Sequence, residues 1–486
     1  MRTELSSRVR VVWWGACVLL AAALFASYRT QCSIDDAWIT YRYAENLADG
    51  LGFVFNPGER VLGTSTPLYT LILAFVHWVG LPVPVTSQAI GFLSMMGILV
   101  GTYLLLRQIH SEVAGLLAIS LLIPIKYFHR VVTYGMETPL YILCIVFAFY
   151  AYSVRRLHLA TVLSACALLI RLDGAAVGAA LVLAYWLTRR QLPWKLIFLY
   201  LGLTAPWLIS SYLYFGTVLP HSFLAKHLHA DSLYQTWMFE WVTTLWISAF
   251  ALVGVGVCLA QSAYRSSSLP VVIWITGYLV SFTLSNLFQQ EWYRTPLTVP
   301  LAGFAAVGVL SIAKGLHRFR LKPVWTIALL TLVLIRMDGS VRAGMHRLVT
   351  GTLDWRDRLE SGRNDGAIWM NENLPKDATI VTGGIGMVGY VTQRYILDAS
   401  GLVSPQVVVE GLPPAWPRFL PYIVEHHRPE HVYMASDGVP SYMARDYTIT
   451  KTWPANNPAR PFMLMQRKVS GSDADAQRSG VEADGE

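Results

Sequence analysis

The sequence predicts an α-helical polytopic membrane protein with a small C-terminal α/β domain, and three observations lead to this fold class. Of the 486 residues, 54% are hydrophobic and only 14% are charged, whereas soluble domains carry roughly 25% charged residues. Apolar runs of about 18 or more residues, the length of a spanning helix, recur from Val11 to about Arg336. After that point the composition becomes that of a soluble domain.

The basic residues predict the orientation of the spans. They form short clusters between the apolar runs, and such clusters mark the cytoplasmic side of a membrane protein. The net charge of +8 therefore reflects topology and does not indicate nucleic-acid binding. Arg8 and Arg10 place the N-terminus inside, and no signal-peptide cleavage site follows the first apolar run, so that run is expected to stay as the first span.

We predict about eleven spans, with the N-terminus inside and the C-terminus outside. The predicted spans are 11–28, 88–106, 111–126, 138–153, 158–171, 174–188, 196–214, 240–262, 270–287, 296–313 and 322–337. The apolar stretch Leu68–Val79 is excluded, because about 12 residues make a helix of roughly 18 Å, too short for a hydrocarbon core of about 30 Å. It is expected to lie at the outer interface.

This topology divides the chain into three parts. Residues 1–337 form the transmembrane body, including a first outer loop at 29–87; residues 338–469 form an extracytoplasmic (periplasmic) α/β domain; residues 470–486 form a disordered tail. The predicted outer loops carry most of the polar residues. The five cysteines have no spacing that indicates a disulfide or metal framework.

The first outer loop begins with an amphipathic helix. Apolar residues recur at helical spacing from Ile34 to Ala48, which predicts a helix lying on the membrane face. Ser33 can cap it, with Asp36 reaching back as the partner of a capping box. Asp35 is not needed by that arrangement, and a carboxylate beside a span could also act as a general base toward a lipid-borne substrate.

The same loop carries a motif that resembles the opening of bacterial GT-C glycosyltransferases. The matching residues are Asp35-Asp36-Ala37, Arg42-Tyr43-Ala44-Glu45-Asn46-Leu47, Gly50-Leu51-Gly52, Phe55-Asn56-Pro57-Gly58-Glu59-Arg60-Val61 and Thr64-Ser65-Thr66-Pro67-Leu68. Among these enzymes the string is most similar to the terminal arabinofuranosyltransferases of cell-wall arabinan and their relatives. It departs from them at Val61-Leu62-Gly63, where an acidic residue is expected before the glycine.

The resemblance implies a polyprenyl-phosphate sugar as donor, a GT-C-like fold with juxtamembrane helices in the first outer loop, and an acidic catalytic motif there. Asp35 or Asp36 is then the candidate base. No cofactor follows from it, and the need for a divalent metal stays open. The implied partners are the lipid-linked sugar, the bilayer and a glycan, lipid or protein acceptor, with the enzyme in the bacterial inner membrane and its active site facing the periplasm.

Cations in the outer loops are candidates for binding the donor phosphate, because charge-assisted hydrogen bonds to phosphate are strong. The candidates are Lys226, His221, Arg294 and Arg42. For Lys226 and His221 the alternative is an interfacial position near lipid headgroups, and for Arg294 it is an ion pair with Glu291. His221, His227 and His229 do not have a recognisable metal-ligand spacing, so no metal site is predicted.

Other charged residues of the outer loops are candidates for the wall of the substrate cavity. They are Glu137, Arg171, Asp173, Glu59 and Arg60. Each has an ordinary structural alternative: Glu137 suits the first turn of a helix, and Arg171 and Asp173 could simply pair with each other.

The C-terminal region alternates helix and strand signals. Residues Ala378–Thr382 are typical of a buried strand, and a helix is expected to end near Asn373 and Pro375. The glycine-rich segment Gly383–Tyr390 resembles a dinucleotide-binding loop but lacks a convincing acidic residue for the ribose. We therefore expect a close-packed turn, in a domain that helps to hold the acceptor.

Three functions compete for this sequence. The favoured one is glycosyl transfer from a polyprenyl-phosphate sugar, which the acidic pair after the first span indicates. A lone base would invert the configuration of the anomeric centre, whereas a second, nucleophilic carboxylate would retain it. An oligosaccharide or O-antigen-type ligase or polymerase would not need that pair. A transporter would place ionisable residues near the middle of its spans, and these spans contain almost none.

Overall fold

The structure is a computed structural model that describes residues 7–28, 34–228, 246–284, 290–316, 355–409, 419–454 and 460–468. The predicted last span, 322–337, and the predicted disordered tail, 470–486, lie outside these residues. The described part of the chain is mainly helical, with one small sheet near the C-terminus.

The N-terminal part of the chain consists of helices. In chain order they are α1 (Ser7–Tyr28), α2 (Asp35–Ala48), α3 (Pro67–Trp78), α4 (Val83–Ile109), α5 (Glu112–Leu122), α6 (Lys126–Thr133), α7 (Thr138–Ser153), α8 (Leu157–Ile170), α9 (Ala175–Arg189), α10 (Trp194–Phe215), α11 (His221–Leu228), α12 (Trp246–Ala260), α13 (Ser262–Leu284) and α14 (Glu291–Leu316). Most of them share one large apolar core.

Five helices in the described part of the chain are long and apolar enough to cross a membrane, namely α1, α4, α10, α13 and α14. They coincide with five of the predicted spans. Helices α7, α8 and α9 also coincide with predicted spans but have 16, 14 and 15 residues, which at about 1.5 Å per residue is shorter than a ~30 Å hydrocarbon core. A multi-pass membrane body is therefore supported, while the count of eleven stays a prediction.

The predicted span at 111–126 is bent in the structure, and its crossing of the membrane stays a prediction. Helix α5 ends at Leu122, and the chain continues as α6 after a bend of 72°. The reason is Pro124, whose ring and missing N–H prevent the helix from continuing and restrict the residue before it. As a result, most of the connection between the predicted spans 111–126 and 138–153 is helical.

The two helices of the first outer loop form as the sequence predicts. Helix α2 has ten buried residues among its 14. Its N-cap residue is Ile34, without a side-chain cap, so Asp36 is not at the third helical position that a capping box with Ser33 requires; Ser33 lies outside the described residues. Helix α3 has 12 residues and exposes a row of apolar side chains, and its place at the outer interface stays a prediction. The exposed residues are Leu71, Phe75 and Trp78.

The C-terminal part of the chain is a small α/β unit. Its elements are α15 (Trp355–Asn373), β1 (Thr379–Thr382), α16 (Ile385–Thr392), β2 (Tyr395–Asp398), α17 (Leu420–His427), β3 (His431–Ala435), β4 (Tyr447–Trp453) and β5 (Phe462–Arg467). The strand order is β2-β1-β3-β5-β4, with β2, β1 and β3 parallel and the last two pairings antiparallel. The predicted strand over 378–382 and the predicted helix end near Asn373 are confirmed.

This C-terminal unit packs directly on the first outer loop. One apolar cluster contains Ile39 and Tyr43 of α2 together with Ile385 and Val388 of α16. At the edge of the sheet, the side-chain amide of Asn56 donates to the carbonyl of Ile396 (2.9 Å) and accepts from its N–H (3.1 Å). Segments more than 300 residues apart in the sequence therefore form one core.

Candidate functional site

A cavity with an empty volume of about 980 Å³, open mouth included, lies where α2, the loop after Gly63 and the ends of several helices meet. Its walls are formed by four groups of residues. They are Asp36, Ile39 and Thr40 of α2; Gly63, Thr64, Ser65 and Thr66 of the loop; Met136, Glu137, Arg171, Leu172, Asp173, Pro220, Ser222, Phe223, Phe282, Trp292 and Tyr293 of the helical body; and Leu402 of the C-terminal unit.

Hydroxyl groups cluster on the wall beside Asp36. The hydroxyls of Thr40 and Thr66 are 3.4 Å apart, and those of Thr64 and Thr66 are 3.0 Å apart. Tyr43 holds the loop that carries Thr64 and Thr66. Its phenolic hydroxyl donates to the carbonyl of Val61 (2.6 Å), and its oxygen accepts from the N–H of Gly63 (2.9 Å). This wall offers donors and acceptors of the kind that bind sugar hydroxyls.

A buried charge network forms another wall. Arg171 donates to both carboxylate oxygens of Asp173 (3.0 and 2.9 Å) and to Glu137 (3.1 Å). Tyr278 also donates to Asp173 (3.0 Å). Burial raises the pKa of Glu137 even though the guanidinium of Arg171 opposes this shift. The pairing expected between Arg171 and Asp173 therefore exists, and it lies on the cavity wall together with Glu137.

Asp36 is the carboxylate of the acidic pair that borders the cavity. It is partly exposed and lines the wall together with the residues one helical turn later, Ile39 and Thr40. In helices, residues three and four positions apart lie on the same face. Because the cavity wall also carries Glu137 and Asp173 against the single guanidinium of Arg171, the wall as described is acidic.

Asp35 has a different environment. It is 8% exposed, and its carboxylate accepts from the backbone N–H groups of Gly386 (3.2 Å) and Met387 (2.9 Å) at the start of α16. The guanidinium of Arg363 is 3.4 Å away. Since free N–H groups and a positive helix dipole are present at a helix N-terminus, Asp35 stabilises α16 and attaches the C-terminal unit to α2.

The glycine-rich segment is used for this packing. A Cβ on Gly386 would overlap the carbonyl oxygen of Asp35, and one on Gly389 would overlap the guanidinium of Arg42. The expected close packing is confirmed, but the segment forms the short helix α16 rather than a turn. The glycines allow two helices to approach each other closely.

Three of the predicted site residues are absent from the described cavity wall, and two of them, Arg42 and Glu59, contact the C-terminal unit. Arg42 is completely buried, donates to the carbonyl of Arg394 (2.8 Å), and has a pKa lowered to about 9 by burial. The structure therefore argues against a phosphate contact by Arg42. Glu59 accepts from the hydroxyl of Tyr395 (2.7 Å), and Arg60 lies over the ring of Tyr214 at 4.7 Å.

The remaining phosphate candidates are not among the described lining residues of the cavity. The backbone N–H of His221 donates to the carbonyl of Leu62 (2.7 Å). Burial lowers the pKa of the His221 imidazole, which disfavours its charged form. Lys226 lies in α11, whose first turn borders the cavity; its side chain is outside the described part. Arg294 is 9% exposed and is absent from the described cavity wall.

Sequence reasoning missed Arg130. The sequence offered Arg294 as an alternative partner for Glu291, and the structure adds the guanidinium of Arg130 (2.9 Å) and the hydroxyl of Tyr134 (2.9 Å) as partners of that carboxylate. No local pattern could reveal this pair, because 161 residues separate Arg130 from Glu291. Among the described residues, no group of three or more His, Cys, Asp or Glu side chains could hold a metal ion.

Comparison with characterised proteins identifies one curated relative. Over 298 residues the chain is 26% identical to the terminal beta-(1->2)-arabinofuranosyltransferase of Mycobacterium tuberculosis. The match covers 54% of this chain and 47% of that protein, so the chain spans about half the length of the curated relative it matches. The resemblance predicted from the first outer loop is confirmed.

Solved structures confirm the fold class. ArnT from Cupriavidus metallidurans bound to undecaprenyl phosphate superimposes with a TM-score of 0.61 at 15% identity, over 94% of this chain and 98% of that one. The Archaeoglobus fulgidus oligosaccharyltransferase in its apo form gives 0.56 at 12% identity, over 88% and 70% of the two chains. Residues 355–474 match a family described as a domain of unknown function (DUF8728). The chain therefore has the GT-C-like fold of these proteins.

Proposed function

We propose that this membrane protein is a glycosyltransferase that moves a sugar from a polyprenyl-phosphate donor to a hydroxyl group of an acceptor on the outer side of the bacterial inner membrane. The observation that carries the proposal is Asp36. Its carboxylate borders a hydroxyl-rich cavity in a fold shared with a structure that contains undecaprenyl phosphate.

The reaction requires a base for the acceptor and a leaving group on the donor. Asp36 accepts the proton of the acceptor hydroxyl, whose oxygen then forms a bond to the anomeric carbon. The bond between that carbon and the phosphate oxygen breaks, and the polyprenyl phosphate departs with the electron pair. A single displacement of this kind inverts the anomeric centre.

Asp35 is not the base in this proposal. Its oxygens are occupied by two backbone N–H groups and lie near Arg363. Asp35 is also absent from the described cavity wall, where the acceptor hydroxyl would have to lie. Asp35 instead positions α2, and with it Asp36, relative to the C-terminal unit.

Arabinofuranose is the proposed sugar, because the curated relative is an arabinofuranosyltransferase. Lys226 is the proposed contact of the donor phosphate. It belongs to the helix whose first turn lines the cavity, and the described wall offers only Arg171, whose guanidinium already binds two carboxylates. Lys226→Gln should mainly raise the donor KM, and an unchanged donor KM would remove Lys226 from the site.

The test is a transfer assay with the full-length protein in lipid nanodiscs. Polyprenyl-phosphoryl arabinofuranose is supplied with arabinan oligosaccharides as acceptors, and other polyprenyl-phosphoryl sugars are compared with it. Transfer should be lost in Asp36→Asn. Asp49→Asn is the matched control, because Asp49 follows the same helix and its side chain is 57% exposed outside the cavity.

The outcomes distinguish the parts of the proposal. Transfer of a different polyprenyl-linked sugar would correct the sugar and keep the reaction class. Full activity of Asp36→Asn would remove the base assigned here. Absence of transfer from every lipid-linked donor tested, by a protein that is folded, would overturn the proposed function.

A further inference from the structure

The C-terminal unit contributes a wall residue to the cavity. Among the lining residues of the described chain, Leu402 is the one that comes from this unit. It follows β2 and lies against Gly63, at the start of the loop that carries Thr64 and Thr66. An apolar side chain from a distant part of the sequence therefore stands beside the hydroxyl-rich wall.

The segment that carries Leu402 is held firmly. The buried carboxylate of Asp398 accepts from the N–H groups of Ser400 (2.7 Å), Leu402 (2.5 Å) and Val403 (3.1 Å). The hydroxyl of Ser404 in turn accepts from the N–H of Asp398 (3.0 Å). Four hydrogen bonds within seven residues fix the backbone, so the position of Leu402 is set by the sheet and not by the cavity contents.

The contact between the Leu402 segment and the first outer loop leaves no space for a side chain at Gly63. A Cβ on Gly63 would lie 2.5 Å from a methyl carbon of Val403 and 3.2 Å from the carbonyl oxygen of Leu402. Gly401 has φ +73°, a left-handed conformation that favours glycine. The loop from Asp398 to Ser404 and the loop from Gly63 to Thr66 are thus packed as one surface.

We propose that Leu402 is a specificity-determining residue of the acceptor subsite, where it contacts the apolar C–H face of an acceptor sugar. This inference rests on the proposed function. In that reaction the acceptor must present its hydroxyl to Asp36, and Leu402 borders the loop that continues the Asp36 wall. The donor, by contrast, must enter from the lipid side, next to the helical body.

The test compares Leu402→Ala and the conservative Leu402→Met with Leu374→Ala in the full-length protein. Leu374 is a partly buried leucine of the same unit outside the cavity wall. Removing apolar contact from a binding pocket typically weakens recognition by about tenfold. Leu402→Ala should raise the acceptor KM by about tenfold, with the donor KM and kcat within about twofold of wild type, while Leu402→Met and Leu374→Ala keep the wild-type acceptor KM.

Three results would overturn the inference in an active wild-type enzyme. They are an unchanged acceptor KM in Leu402→Ala, an equal change in Leu374→Ala, or a selective change in the donor KM. If the Leu402→Ala protein does not fold, Leu402→Val is tested instead and judged by the same criteria. A wild-type protein without any transfer activity would instead contradict the proposed function, so the two failures can be told apart.

Discussion

The two faces of α2 have different partners, although they are built from adjacent residues. The face with Asp36, Ile39 and Thr40 borders the cavity. The face with Asp35 and Arg42 is buried against the C-terminal unit. Successive residues of a helix are rotated by about 100° around its axis, so two neighbouring carboxylates point in different directions. One borders the cavity, and the other joins α2 to the C-terminal unit.

The largest expected effect is a loss of transfer rate, caused by a substitution on the cavity face of α2. Asp36→Asn preserves the size of the side chain but removes the base, so the transfer rate per folded molecule should fall by about 100-fold or more. The midpoint of thermal unfolding is measured in parallel, so that a loss of folded protein is separated from a loss of rate. Steady-state kinetics and a thermal melt measure both quantities.

One pair of results would exchange the roles assigned to Asp35 and Asp36. If Asp35→Asn lost transfer while remaining stable, and Asp36→Asn kept its rate, Asp35 would be the base. Asp49→Asn serves as the control for a carboxylate lost from the end of the same helix.

The next effect concerns the face toward the C-terminal unit. Asp35→Asn removes the negative charge that binds the start of α16 and faces Arg363. Hydrogen bonds to charged groups contribute about 1.5–3 kcal/mol, so unfolding should become easier by about 2 kcal/mol. Chemical denaturation in detergent would measure the loss, and unchanged stability would show that these contacts do not hold the unit in place.

A smaller effect is expected from the other side of the same contact. Gly386→Ala places a methyl group against the carbonyl oxygen of Asp35, and overpacking typically costs about 1–3 kcal/mol. Gly438→Ala is the matched control, because no atom lies within 4 Å of its added Cβ. We expect a loss of about 1–2 kcal/mol for Gly386→Ala and almost none for Gly438→Ala; equal values would contradict the close packing.

The smallest effect on activity is expected from single cysteines at exposed positions. They test whether the C-terminal unit and the segments before and after α3 lie on the same side of the membrane. Single cysteines replace Pro57, Leu81 or Asp437 in a cysteine-free background. These residues are exposed before α3, after α3 and in the C-terminal unit. All three variants should keep their activity and react with an impermeant thiol reagent added outside. Protection at Leu81 alone would show that α3 crosses the membrane.

The sequence predicted the elements better than their contacts. The apolar spacing of α2 and the limited length of the Leu68–Val79 stretch predicted both helices of the first outer loop, because such patterns depend on neighbouring residues. The bend after Leu122 could also have been predicted, since Pro124 is a local signal. Glycines 386 and 389 were correctly expected in a close-packed segment, although the pattern did not show what they pack against.

The roles of the acidic pair could not be predicted from the sequence. Local capping rules connected Asp36 with Ser33 and left Asp35 for catalysis, whereas the structure connects Asp35 with Met387, 352 residues away. The phosphate candidates were chosen by charge alone, and charge does not reveal that Arg42 is buried beneath Arg394. Contacts between distant segments decide which side chains reach the cavity.

The pairing of Asn56 with Ile396 also has a consequence for the order of assembly during synthesis. Strand β2 is at the edge of the sheet, and unpaired edges invite association with other chains; here one amide side chain satisfies both backbone groups of an edge residue. Ribosomes make Asn56 and Asp35 long before their partners. Both must wait, unpaired, until the sheet exists, and the cavity lacks its Leu402 wall until then. Docking of the C-terminal unit, which is translated after the helical body, is therefore the event that completes the site.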